Sequence, residues 1–146
     1  MELSKQAEYR IAIPAAVDGD YATARVNLEI LLARCADESD LGTRGYLLQV
    51  LGNIEARDGK IQRGHELHQA ALRLDPDSPL PQLLYAKGLL RAFGDPAGAQ
   101  ARLVTLESHL AENPPDEEGM GAAWYREEIA LLRREIAAQQ AATGPG

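Results

Sequence analysis

Gly45–Ser78, GYLLQVLGNIEARDGKIQRGHELHQAALRLDPDS, decides how this chain is read. Apolar residues recur through it at helical spacing, and Asp58-Gly59 breaks the pattern in the middle. A glycine at the end of one helical run supplies the left-handed residue that stops it, so the stretch predicts two helices folded back on each other.

The same plan recurs on either side. Asp18-Gly19-Asp20-Tyr21, Asp58-Gly59-Lys60-Ile61 and Gly94-Asp95-Pro96 punctuate the chain, with the glycines 40 and 35 residues apart. A period of this size points to stacked helical repeats. Asp20 and Asp95 are placed to cap the helices that follow, and Pro96 suits a first helical position. After each turn comes a similar second helix: Ala24, Leu28, Leu31 and Leu32; Gly64, His68, Ala71 and Leu72; Ala99, Leu103 and Leu106. The leading residue is small in all three, which lets two helices approach closely. Ile11-Ala12, Leu51-Gly52 and Tyr85-Ala86 correspond in the first helices. Pro14 interrupts the first of these and predicts a kink or a frayed start. Pro79 and Pro81 fit the opening turn of the third pair.

These residues resemble the tetratricopeptide repeat (TPR) family. Leu51-Gly52, Gly59, Gly64, Ala71-Leu72 and Asp75-Pro76 carry the resemblance within one 34-residue unit. The flanking units match more loosely: no tryptophan opens any unit, and Gly64 and His68 replace the commoner alanine and aromatic. The expected fold is an all-α, right-handed α-solenoid of three antiparallel helix hairpins plus a C-terminal capping helix. A single domain is expected over 1–141, with units at about 5–37, 40–78 and 79–113, a capping helix at about 120–141, and a disordered tail at 142–146. Ser39 or Asp40 would cap an early start of the helix that follows 36–44. Residues 113–121 read as a linker, and Tyr125, Ile129, Leu132 and Ile136 as the buried stripe of the last helix.

At 146 residues and 15.8 kDa, the chain is long enough to bury a sizeable core. Its net charge of −7 opposes a phosphate backbone, and the one adjacent basic pair, Arg133-Arg134, is flanked by glutamates, so no nucleic-acid partner is expected. No apolar run is long enough to span a membrane, and MELSKQAEYR lacks a signal-peptide pattern, so a cytoplasmic protein is expected. Cys35 is the single cysteine.

Chemistry is sparse. His65 and His68 lie one turn apart and would make half a zinc site, but HELH is not HExxH and no third ligand is evident. The alternative is one core and one surface histidine. Cys35 lacks an identifiable base, and Glu117-Glu118 and Glu127-Glu128 read as solvated surface. No cofactor, metal site or enzymatic activity is expected.

Surface shape remains. Tyr46, Gln49, Asn53 and Arg57 fall on one face of the central first helix, with Tyr9 and Ile13 as their counterparts on the first. One aromatic, two amides and a guanidinium suit an extended peptide backbone or a carboxylate; the alternative is a hydrated face without a ligand. TPR members that clamp the C-terminal carboxylate of heat-shock chaperones use lysine, asparagine and arginine from successive first helices. The corresponding places here are Tyr9, Ile13, Val50, Pro81 and Tyr85, which disfavours that activity. The resulting expectation is a non-enzymatic adaptor or scaffold that binds another protein or peptide in its concave groove. The alternative is a dedicated chaperone or immunity protein masking one secreted effector or toxin. Self-association through an exposed hairpin is a third route to a partner.

Overall fold

A computed structural model describes residues 1–35, 40–116 and 120–143. Among these residues the fold is all-α. A short 3₁₀ turn at Leu3–Lys5 precedes α1 (Ala7–Val17), α2 (Tyr21–Arg34), α3 (Leu41–Arg57), α4 (Ile61–Leu74), α5 (Leu80–Arg91), α6 (Pro96–Glu112) and α7 (Ala122–Thr143). The helices pack as hairpins, α1 with α2, α3 with α4 and α5 with α6, as in a helical repeat. The chain divides between Pro76 and Asp77 into two compact units.

The turns work as their residues dictate. Gly19, Gly59 and Gly94 take φ of 81°, 84° and 64°, the left-handed region that a side chain would strain. The carboxylates of Asp20, Asp40 and Asp95 accept from the backbone N–H groups of Thr23, Thr43 and Gly98, at 3.2, 3.1 and 2.9 Å. Each satisfies one of the orphan donors that open α2, α3 and α6. Asp40 is thus the cap of the early-starting helix; Ser39 lies outside the described residues. Pro81 stands in the first turn of α5.

Helix α1 runs from Ala7 through Pro14 to Val17, and the Pro14 carbonyl still accepts from Asp18 N–H at 3.0 Å. The missing proline N–H removes one bond of the ladder, while α1 keeps its packing on α2 through the fully buried Ala12 and Ala24. At the other end, α7 continues through Ala142 and Thr143, which were expected in a tail. Residues 144–146 lie outside the described residues, as do 36–39 and 117–119.

In the first unit, Leu28, Leu31, Leu47, Leu51, Ile54 and Leu67 form one buried cluster with Ala12, Ala24 and Cys35. Glycine is required where α3 crosses α4. A Cβ at Gly52 would lie 2.8 Å from Cδ2 of His68 and 3.0 Å from the Gly64 carbonyl oxygen. Ala12 and Ala86 fill the matching places in the other hairpins, where Leu28 and Leu103 replace His68. Gly52→Ala is therefore expected to destabilise by about 1–2 kcal/mol in urea unfolding, overpacking outweighing the better helix propensity of alanine.

In the second unit, α7 lies on α6 and α5, burying Tyr125, Ile129, Leu132 and Ile136. Lys87–Glu128 (3.3 Å), Arg91–Glu135 (2.6 Å) and Arg133–Glu107 tie it down at the surface. The Arg102 guanidinium sits 4.9 Å above the Tyr85 ring. Ion pairs that keep contact with water, as these exposed or half-buried ones do, each contribute little, so burial of the apolar stripe holds α7 in place.

Candidate protein-binding face

Helices α1 and α3 bring Tyr9 and Tyr46 together, with 3.1 Å between their hydroxyl oxygens. Tyr46 is 37% exposed and Tyr9 is half-buried. Burial, reinforced by the Tyr46 hydrogen bond, pushes the Tyr9 phenol up to about 12, so it remains a neutral donor or acceptor near neutral pH. Ile13 follows Tyr9 one turn along α1 and is half-buried. Arg57 is exposed in the last turn of α3. Aromatic rings, a partly open aliphatic and an exposed cation thus stand on α1 and α3, the first helices of this unit.

Gln49 does not join them. It is only 3% exposed, and its Nε2 donates to Nδ1 of His68 at 3.2 Å. The other ring nitrogen, Nε2, donates to Asn53 Oδ1 at 2.8 Å. This pattern requires neutral imidazole with its proton on Nε2, because the Gln49 amide group leaves Nδ1 to accept. Burial of the fully enclosed ring, with a smaller contribution from His65, lowers its pKa to about 3. Asn53 is half-buried at the margin of the open face. The two amides therefore serve the α3–α4 seam, and Asn53 is the one with an accessible edge.

Arg25 carries the arrangement that the sequence did not disclose. From α2, its Nε donates to Glu55 Oε1 at 2.5 Å and its Nη2 to Asp58 Oδ2 at 2.7 Å. The Glu55 side chain is 7% exposed, against 21% for Arg25. These two bonds raise the Arg25 pKa further and lock the C-terminal turn of α3, where Arg57 stands, onto α2. Both partners read as ordinary surface charges along the chain, and only the α2–α3 packing makes them meet.

The zinc reading of His65 and His68 is not favoured by this geometry. Both ring nitrogens of His68 are hydrogen-bonded inside the hairpin, and among the described residues no cluster of three histidine, cysteine or acidic side chains could hold a metal. Cys35 is fully buried at the end of α2, its sulfur 4.0 Å from that of Met1. No helix of the described residues is long and apolar enough to cross a membrane.

Among known proteins, the chain is similar to Photosystem I assembly protein Ycf3 of Acaryochloris marina. The two are 33% identical over 100 residues, 68% of this chain and 57% of that relative. The chain spans little more than half the length of the relative. No family model matches the chain. No solved structure matches it either. Hairpins and similarity together fit a TPR-like protein.

Proposed function

We propose that this protein is a non-enzymatic interaction module that binds a peptide or protein segment on the α1/α3 face through Tyr9, Ile13, Tyr46, Asn53 and Arg57. The observation that carries this reading is the pairing of Tyr9 and Tyr46 on that face, with Arg57 exposed on the same helix as Tyr46. Aromatic and arginine side chains are the groups that anchor most interfaces. The buried seam of Gln49, His68 and Asn53, together with the Arg25 clamp, holds α3 rigid, so little ordering cost falls on binding. Similarity to a protein named for photosystem I assembly supports a role in holding another protein.

The test is affinity capture from the native host by the wild-type chain and by Tyr46→Ala and Arg57→Ala variants, followed by titration of the captured protein. Arg57→Ala is expected to weaken binding about tenfold or more. Its melting temperature should barely change, because an exposed arginine contributes little to folding. Unchanged capture by both variants would move the binding surface elsewhere.

A further inference from the structure

Helices α5, α6 and α7 repeat the order of α1, α2 and α3. Tyr125, Ile129 and Leu132 stand at the spacing of Leu47, Leu51 and Ile54, and all six are buried. This register places Ala123, Glu127, Ala130 and Arg134 of α7 where α3 has Gly45, Gln49, Gly52 and Ala56. On α3 that face is buried: Ala71 and His68 of α4 reach Gly45, Gln49 and Gly52. On α7 all four counterparts are exposed. Beside them, α6 and α7 bound an open groove of about 690 Å³, with Leu110, Ala111 and Ile129 among its lining. The second unit thus presents the place of a further helix, and among the described residues no helix occupies it.

We propose that α7 of a second copy fills this place, running antiparallel to α7 across a two-fold axis. The charges of the face select that occupant. Glu127 and Arg134 are exposed and two turns apart on one side of the helix, and among the described residues neither forms an ion pair. Antiparallel copies set each Glu127 opposite the Arg134 of the other, whereas parallel copies set like charges together. A surface that complements itself under a two-fold rotation is what an isologous dimer requires. Ala123 and Ala130 leave room for the backbones to approach, as Gly45 and Gly52 do for α4.

Sedimentation of the full chain over a range of concentrations tests this. The expected result is a dimer of about twice 15.8 kDa that dissociates on dilution. Glu127→Arg, which opposes like charges, is expected to weaken the dimer about tenfold, and adding Arg134→Glu in the same chain should restore it. Ala130→Arg should give a monomer with unchanged helical circular dichroism, because position 130 is exposed. Should that variant unfold, the charge exchange decides the matter alone. A chain that stays monomeric at every concentration would overturn the proposal, as would a dimer indifferent to the charge exchange.

Discussion

Arg25→Ala is expected to destabilise the first unit by about 3 kcal/mol, because it leaves the carboxylate of Glu55 buried without its cation. The neighbouring charge on Asp58 is more exposed and can turn to water, so the loss falls mainly on Glu55. Arg25 is itself only partly buried, which keeps the expected cost at the lower end of the range for broken buried pairs. The discriminating companion is Arg25→Ala combined with Glu55→Gln. Removing the buried charge should recover part of the loss, since the remaining amide costs far less to enclose than an unpaired carboxylate. Chemical denaturation of the four proteins in the cycle reads the coupling directly. A single variant as stable as the wild type would mean that Glu55 reaches water and the pair is ornamental. Because the clamp holds the turn bearing Arg57, Arg25→Ala is also expected to weaken binding on the α1/α3 face.

The second large effect is acid sensitivity through His68. Its folded pKa near 3 lies below the ordinary value of 6.5. Between those values the unfolded chain binds a proton that the folded chain does not. Stability associated with the neutral ring is fully present above pH 6.5 and is lost as the pH falls toward 3. The slope is about 1.4 kcal/mol per pH unit, so about 2 kcal/mol is expected to be gone by pH 5. His68→Gln should flatten this part of the pH profile while costing stability at pH 7, because a glutamine amide carries its acceptor and donor on one terminal carbon and does not reproduce the spacing of the two ring nitrogens that reach Gln49 and Asn53. Denaturation midpoints at pH 7, 6 and 5 for both proteins check it. Parallel profiles would place the proton elsewhere.

The helix hairpins were legible in the sequence for reasons that are local. Gly19, Gly59 and Gly94 announce left-handed turns, Asp20, Asp40 and Asp95 announce caps, and the apolar spacings on α2, α4 and α6 announce which side faces inward. His68 was placed on a packing position by the same periodicity, and it is enclosed. Spacing puts Tyr46 on a stripe of α3 and Tyr9 on the comparable face of α1; that their hydroxyls lie 3.1 Å apart is known only from the packing.

Gln49 shows where periodicity stops. It stands at the edge of the Tyr46–Asn53–Arg57 stripe, on the side of Gly45, Gly52 and Ala56, and helical spacing alone leaves such a margin residue free to face either way. The close α3–α4 crossing at Gly52 brings His68 within reach of the Gln49 amide and turns that margin into interior. Arg25 and Glu55 are 30 residues apart and lie on different hairpins, so nothing along the chain couples them. Turns, caps and helix faces are written in short-range residue order, because each is decided within one or two turns of backbone. Which polar groups become enclosed, paired and neutral is decided by the distance between helices, and that distance exists only once the hairpins have packed.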